Sequence, residues 1–241
     1  MTDSLFYNDK VVLKRKEVFS NPTKETIDIN LIFLNVLAEI IKVGSSLLDI
    51  GTGNGYVLSE INKYFSNYNL SLTGIDNSAE MLRTSFQSEN ISYVQANNES
   101  TPFPDATFDI ITAKNVTRFN PKELSRILKD NSFFLMREYS EGKGLVEVAR
   151  LFPNRLIRSR NITYYTTILS EAGFSIQKVL PLEFKRQFND ADQLLNTIRS
   201  YPFIRDFSEN DEKIIRKVFS KQPVITSDPF ILLAKKEKQH E

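Results

Sequence analysis

The clearest chemistry in this chain is offered by three glycines and two carboxylates. Gly51, Gly53 and Gly55 fall within five residues, directly after a short apolar run that contains Asp49. Glycine inside a regular element costs about 0.5–1 kcal/mol relative to alanine, so this cluster predicts a place where backbone lies very close to another group. Asp76 ends the next predicted strand, 21 residues beyond Gly55. Such a loop presents backbone amides to a ligand, and a carboxylate placed like Asp76 can accept hydrogen bonds from both hydroxyls of a ribose.

The glycine spacing separates this loop from two better-known phosphate-binding loops. The dinucleotide pattern is G-x-G-x-x-G, whereas the third glycine here comes one residue early. A P-loop needs a lysine and then serine or threonine after its last glycine, and this chain has Tyr56 and Val57 there. The loop and Asp76 therefore favour an adenosine-containing ligand without a pyrophosphate. A purely structural turn and an NAD-dependent reductase stay open as the weaker alternatives.

Composition removes many other kinds of chemistry. The chain has 241 residues and no cysteine, and its one histidine is His240, in a charged tail. Disulfides, thiolate nucleophiles, cysteine-ligated metals and a histidine base are therefore excluded, and we expect no metal site. The net charge of +1 argues against nucleic acid as a partner.

Apolar runs are short throughout the chain. None reaches the roughly 18 residues of a transmembrane helix, and the N-terminus lacks the apolar core of a signal peptide. We therefore expect no membrane partner and a cytoplasmic location. The sequence gives no indication of the oligomeric state.

Strands and helices alternate in the predicted secondary structure. Short apolar runs predict strands, and apolar residues three or four positions apart predict helices. The predicted strands are 46–50, 70–76, 91–96, 108–114, 132–138, 176–188 (with a candidate break at Pro181) and 229–236. The predicted helices are 28–42, 55–65, 77–86, 121–128, 144–152, 162–174, 190–201 and 209–219. The fold class is therefore α/β, with a doubly wound parallel sheet covered on both faces.

Three successive segments resemble the class I S-adenosylmethionine-dependent methyltransferases, and most closely the broad group that includes the quinone-biosynthesis enzymes. They are "LLDIGTGNGYVL" (47–58), "LTGIDNSAEML" (72–82) and "YVQANNESTPFPDATFDIITAKNVTRF" (93–119). The piece "TPFPDATFD" is close to the family's LPFPD-x-x-FD pattern. The resemblance covers roughly 46–138. It implies S-adenosylmethionine as cofactor and a Rossmann-like, seven-stranded sheet with helical additions, whose last strand, 229–236, is antiparallel.

The resemblance also implies positions for the cofactor. The three glycines would lie beside its amino-acid part and ribose. Asp49 would orient the loop and meet the cofactor's ammonium, directly or through water, and Asp76 would hold the ribose hydroxyls. Asn97 stands where the family commonly has an aspartate on the adenine amino group, and Asn98 follows it in the same loop. Asn115 falls where the family touches the methionine part.

The acceptor side is less defined by sequence. We expect the acceptor pocket to be built from the helix before Ser46, the loop after the fourth strand and the stretch after Glu138. Glu138 is the candidate general base, because it ends the fifth strand at the carboxyl edge, where ligands of open α/β sheets bind. The side chains expected at the acceptor are Arg118, Phe119, Arg137, Tyr139 and Tyr164.

We predict one methyltransferase domain over 1–241. Its parts are an N-terminal helical cap (1–45), a cofactor-binding core (46–138), an acceptor and lid elaboration (139–222), and a last strand with a tail (223–241). The predicted function is methyl transfer from S-adenosylmethionine to a small molecule. An RNA or protein methyltransferase and a non-catalytic S-adenosylmethionine-binding module remain alternatives.

Three local features of the sequence carry predictions of their own. Asn77 followed by Glu80 predicts a capping box at the start of the second helix of the core. Gly142 and Gly144 are candidate hinges of a lid. The segment "SDPF", 227–230, predicts a hairpin turn before the last strand.

Overall fold

The computed structural model describes residues 23–157, 160–201 and 203–238. The predictions for residues 1–22 and for His240 lie outside the described residues. Two units are distinguished by their internal contacts. The sheet unit consists of Ile29–Glu138, Ile162–Leu180 and the described part of Phe230–Glu241, and the auxiliary unit consists of the described residues of Met1–Asp28, Tyr139–Asn161 and Pro181–Pro229.

The ten strands of the described residues form two sheets. They are β1 (Lys24–Glu25), β2 (Ser46–Ile50), β3 (Ser71–Asp76), β4 (Ile91–Gln95), β5 (Phe108–Lys114), β6 (Leu128–Tyr139), β7 (Phe174–Pro181), β8 (Phe184–Gln187), β9 (Val224–Ser227) and β10 (Pro229–Lys236). The larger sheet has the order β4-β3-β2-β5-β6-β10-β7, and β1-β8-β9 form the smaller one. Strands β2 to β6 pair in parallel, and the antiparallel strand lies near the sheet's end. The predicted seven-stranded α/β sheet is therefore confirmed.

Eight α-helices connect and flank these strands within the described ranges. They are α1 (Ile29–Ala38), α2 (Tyr56–Tyr64), α3 (Ala79–Arg83), α4 (Pro121–Ile127), α5 (Val146–Leu151), α6 (Ile162–Glu171), α7 (Ala191–Ser200) and α8 (Glu209–Val218). No helix of the described residues is long and apolar enough to cross a bilayer.

The central strands are apolar runs that are buried on both faces. In β2, Leu47, Leu48 and Ile50 are fully buried, which is what a parallel sheet covered by helices requires. One face packs in a core with Phe134 and the helix residue Leu124.

The start of α3 differs from the prediction. Asn77 does not cap this helix. Ser78 is the N-cap, and its hydroxyl accepts a hydrogen bond from the amide of Met81. The helix ends at Arg83, well short of the predicted end at residue 86. The helix therefore begins one residue later than the capping pattern predicts. Serine and asparagine are about equally good N-caps, so residue type alone does not choose between Asn77 and Ser78.

The auxiliary unit has its own apolar core. Its buried residues come from α5, α7, α8 and β9 and include Val148, Leu194, Ile215 and Ile225. The elaboration predicted for 139–222 is interrupted, because residues 162–180 belong to the sheet unit. Strand β9 was not predicted at all.

The positions of the strands test two predicted turns, at Pro181 and at 227–230. The predicted break at Pro181 is present, since β7 and β8 lie in different sheets. The predicted hairpin at "SDPF" is wrong. Ser227 ends β9 in the small sheet and Pro229 begins β10 in the large one, so only Asp228 separates strands that do not pair with each other.

Candidate functional site

The glycine loop joins β2 to α2 and is shaped by the protein's own side chains. Gly51 and Gly55 have φ values of 61° and 75°, in the left-handed region that L residues rarely adopt. A Cβ on Gly51 would lie 2.6 Å from Val116, and one on Gly55 would lie 2.1 Å from the Tyr93 hydroxyl. These glycines are therefore required by positive φ and by close packing from the loop after β5 and from β4.

Asp76, at the end of β3, fastens this loop. One carboxylate oxygen accepts a hydrogen bond from the Gly53 amide at 2.9 Å, and the other accepts one from the Ser78 amide at 2.9 Å. An ionised carboxylate has about four lone-pair positions, so about two remain for further donors. Asp76 is half-buried, and these positions fit the two hydroxyls of a ribose.

Asp49 lies buried beneath the loop. It is 1% exposed, and the Thr112 hydroxyl donates to its carboxylate at 2.7 Å. Burial raises the pKa of Asp49 to about 6, against the opposing effects of the Thr112 and Thr52 hydroxyls and of the positive charge of Lys114. A nearby cation would stabilise the ionised form of such a buried carboxyl, which burial alone disfavours.

Asn97 and Asn98 lie in the loop after β4. The Asn97 side-chain oxygen accepts a hydrogen bond from the Glu99 amide at 2.9 Å, and the Asn98 amide donates to the Arg118 carbonyl at 2.8 Å. These bonds order the loop from within. Asn97 is exposed, and its oxygen keeps a second lone pair, so its contact with adenine stays a prediction.

Asn115 and Arg137 meet at the carboxyl edge of β5 and β6. Asn115 has a φ of 58°, and its backbone amide donates to the Arg137 carbonyl at 2.9 Å. Arg137 is only 5% exposed, and its guanidinium donates to the Asn30 side-chain oxygen at 3.2 Å. The Lys114 ammonium lies 4.5 Å from the centre of the Tyr56 ring. Sequence reasoning singled out Asn115 and Arg137 but missed Asn30, Tyr56 and Lys114.

Two of these residues, Lys114 and Tyr56, could have been identified from their positions in the sequence. Lys114 is the last residue of an apolar strand and directly precedes Asn115, and Tyr56 directly follows the last glycine of the loop. Both positions fall at the carboxyl edge of a parallel sheet, where polar side chains face ligands. Asn30 had no such signal, because it lies in an amphipathic helix far away in sequence.

Glu138 follows Arg137 in β6 and is 1% exposed. Because side chains alternate along a strand, Glu138 points to the opposite face from Arg137. That is the face of Phe134 and Met136, which belong to the main core. Its role as a general base stays a prediction.

The other predicted acceptor residues are spread over different surroundings. Arg118 is exposed, and Phe119 is 8% exposed and stacks on Tyr165 with ring centres 5.9 Å apart. Tyr164 is 38% exposed. In the auxiliary unit, Tyr139 packs against Tyr201 with ring centres 6.3 Å apart. Of the five, Arg137 is joined to the cofactor-site candidate Asn115, and the Arg118 carbonyl accepts a hydrogen bond from the candidate Asn98.

The strand order, the glycine loop after β2 and the carboxylate at the end of β3 define a class I methyltransferase fold. Residues 48–136 match the family described as "Methyltransferase domain". This segment, somewhat more than a third of the chain, is similar to class I S-adenosylmethionine-dependent methyltransferase domains, whose cofactor is S-adenosylmethionine.

The chain is also similar to individual methyltransferases in sequence and in structure. The uncharacterized methyltransferase YcgJ of Bacillus subtilis is 29% identical over 57% of this chain and 62% of its own length. Its solved structure covers 87% of this chain and all of that chain at 20% identity, with a TM-score of 0.61. The ubiquinone/menaquinone biosynthesis C-methyltransferase UbiE of Citrobacter koseri is 33% identical over 42% of this chain and 45% of its own length. The sequence matches thus span about half to three-fifths of these curated relatives.

A third likeness shows that the fold alone does not fix the reaction. The solved structure of the [4+2]-cyclase SpnF covers 87% of this chain and 81% of that chain at 16% identity, with a TM-score of 0.58. A function for this chain therefore has to be argued from its own site.

Proposed function

We propose that this chain transfers a methyl group from S-adenosylmethionine to a small-molecule acceptor. The observation that carries the proposal is the pair of hydrogen bonds from the Gly53 and Ser78 amides to Asp76. They leave a fixed carboxylate with lone pairs to spare beside a glycine loop at the carboxyl edge of the sheet. That donor and acceptor set fits a ribose diol.

The chain's residues have separate tasks in this reaction. The sulfonium of the bound cofactor supplies a methyl group that is already activated. Asp76 binds the ribose hydroxyls, and Asp49 faces the ammonium group. The acceptor must be held in line with the methyl group, and such orientation can supply about 7–11 kcal/mol of the barrier. If the acceptor has to lose a proton, a Glu138 carboxylate oxygen is the proposed base.

Calorimetry tests the cofactor, and a product assay tests the reaction. We expect S-adenosylmethionine and S-adenosylhomocysteine to bind and NAD not to bind. Release of S-adenosylhomocysteine is then measured with a panel of metabolites, with quinone-related compounds first because of the name carried by the UbiE relative. Bulk RNA and a protein mixture complete the panel.

Each outcome selects one function. Methyl transfer to a small molecule supports the proposal, and transfer only to RNA or protein would replace it with a macromolecule methyltransferase. Cofactor binding without transfer to any acceptor would favour a non-catalytic binding module or another reaction on the same fold. NAD binding in place of S-adenosylmethionine would refute the proposal outright.

A further inference from the structure

The segment directly after α3 is bonded to the backbone of the glycine loop. The Phe86 amide donates to the Asn54 carbonyl at 3.2 Å. The Ser85 hydroxyl lies 3.2 Å from the Gly53 carbonyl and 3.4 Å from the Met81 carbonyl, and it donates to both. Two successive carbonyls of the loop are therefore fastened to a neighbouring part of the chain.

Tyr93 reaches the same segment across the sheet. It is the register partner of Gly74 in β3, and a Cβ on Gly74 would lie 2.9 Å from the Tyr93 ring. The glycine therefore leaves room for the ring to cross β3. The Tyr93 hydroxyl ends beside Gly55, where a Cβ would lie 2.1 Å from it, and donates to the Phe86 carbonyl at 2.8 Å.

Ser85, Phe86 and Tyr93 together form a loop brace. Phe86 links its two sides, because its amide binds the loop and its carbonyl binds the Tyr93 hydroxyl. Gly53 is held through both of its backbone groups, since its amide donates to Asp76 and its carbonyl accepts from Ser85. The brace thus acts on the same glycine as the carboxylate proposed to bind the ribose.

The two hydroxyls of the loop brace remain donors at neutral pH. Burial, with a smaller effect from the negative charge of Asp49, raises the pKa of Tyr93 to about 12, so its hydroxyl stays protonated. Ser85 is buried, and hydrogen bonds are electrostatically stronger where the local dielectric is low. Both side chains are therefore suited to fixing the loop backbone.

We propose that Tyr93 and Ser85 are positioning residues for cofactor binding, which hold the glycine loop in the shape that S-adenosylmethionine requires. The inference rests on the proposed function and adds to it two side chains that act through the loop backbone. A loop that is ordered before its ligand arrives loses less conformational freedom on binding, and such preorganisation raises affinity. Removal of either hydroxyl should therefore weaken cofactor binding.

The test compares Tyr93→Phe and Ser85→Ala with the wild type in calorimetric titrations with S-adenosylhomocysteine. Tyr93→Phe keeps the ring and removes only the hydroxyl. Phe86 is 42% exposed, so water can replace the lost donor at its carbonyl, and we expect this variant to fold. Affinity should fall about three- to tenfold in each variant, the effect of losing one hydrogen bond.

Two matched controls remove the same kinds of hydroxyl elsewhere. Tyr64→Phe removes a hydroxyl that donates to the Asn35 side-chain oxygen at 3.0 Å, and Tyr64 lies at the far end of α2 from the loop. Ser88→Ala removes a hydroxyl that donates to the Asn90 side-chain oxygen at 2.8 Å. Both control variants should bind S-adenosylhomocysteine with the affinity of the wild type.

Hydrogen exchange in the protein without cofactor separates loop positioning from overall stability. The Gly53 amide donates to Asp76, and the Gly55 amide donates to the Thr52 carbonyl at 3.0 Å. In the two brace variants these amides should exchange at least about threefold faster than in the wild type. The increase should exceed any increase in the amides of β2, which lie in the core and report more global unfolding.

Each positioning residue is judged by its own variant. Wild-type affinity for S-adenosylhomocysteine in a variant, or a loss equal to that in its control, would remove that residue from the proposal. Faster exchange of the loop amides with unchanged affinity would make the brace purely structural and overturn the inference. If one variant fails to fold, the other decides. If the wild type does not bind S-adenosylhomocysteine, the proposed function fails, and exchange of the loop amides alone decides whether the brace holds the loop.

Discussion

We predict that Asp49 makes cofactor binding depend on pH. Its carboxyl is buried, and its pKa in the free protein is raised to about 6. If the ionised form faces the ammonium group of the cofactor, binding requires loss of the proton. At about pH 5 only about a tenth of the free protein has Asp49 ionised, so affinity should be about tenfold lower than at pH 7.

Ionisation of Asp49 should lower the free energy of unfolding, although it raises the affinity for the cofactor. A carboxyl whose folded pKa lies above its unfolded value stabilises the protein fully below the unfolded pKa. That contribution is lost as pH rises through the folded pKa. For Asp49 the window runs from 3.8 to about 6, and the loss is about 3 kcal/mol at neutral pH. Over this window the stability of the protein without cofactor should therefore fall as pH rises, while its affinity for the cofactor rises.

The assay is calorimetric titration with S-adenosylhomocysteine between about pH 5 and pH 8, with Asp49→Asn as the matched control. Asparagine keeps an oxygen for the Thr112 hydroxyl and does not titrate. We expect affinity in the wild type to rise up to about pH 6 and then level off, and affinity in the variant to be lower and flat. A flat profile in the wild type, or the same slope in Asp49→Asn, would refute the role given to Asp49.

Three further perturbations follow from the contacts at the site. Asp76→Asn should lower affinity for S-adenosylhomocysteine by at least about tenfold, because it removes charged hydrogen bonds worth about 1.5–3 kcal/mol each; unchanged calorimetric affinity would remove Asp76 from the ribose role. Gly55→Ala should destabilise the protein by about 1–3 kcal/mol more than Gly173→Ala in chemical denaturation, since both glycines have positive φ but only Gly55 lies against Tyr93. Equal losses of unfolding free energy in the two variants would show that crowding against Tyr93 does not destabilise Gly55→Ala. Glu138→Gln should slow single-turnover methyl transfer by about 10²-fold or more with cofactor affinity nearly unchanged, and an unaltered rate would return Glu138 to a structural role.

The cofactor half of the site was largely predictable from sequence because its signals are local. The apolar strand, the glycine loop and the next strand's carboxylate succeed one another within about thirty residues, and the structure joins them through the bond from Gly53 to Asp76. The spacing alone placed these groups at one edge of the sheet. What spacing could not show is that Tyr93 and Val116 are the groups that crowd the glycines.

The acceptor half was less predictable because its contacts are distant in sequence. Arg137 meets Asn30 across 107 residues, and no periodicity in either segment indicates that contact. The auxiliary unit was missed for a related reason. Its small sheet pairs β1 with β8, although β1 has only two residues. Such short strands form through tertiary pairing and carry little propensity signal of their own.

The glycines proposed as lid hinges have a definite environment in the auxiliary unit. The Asp228 carboxylate accepts hydrogen bonds from the Gly142 and Gly144 amides, both at 2.7 Å. Burial raises the pKa of Asp228, against the effect of these two bonds. Two hydrogen bonds thus hold this turn, and any opening of a lid here would have to break both of them.

The order of strands in the large sheet has a consequence for how the protein is made. Strand β10 is the last of the described strands along the chain, yet it lies between β6 and β7. Until the ribosome has released Pro229–Lys236, the facing edges of β6 and β7 cannot be bridged, and each exposes unpaired backbone groups to other chains. A nascent chain arrested shortly before Phe230 should therefore depend on chaperones and aggregate without them. Release of the whole strand, Pro229–Lys236, should make it soluble.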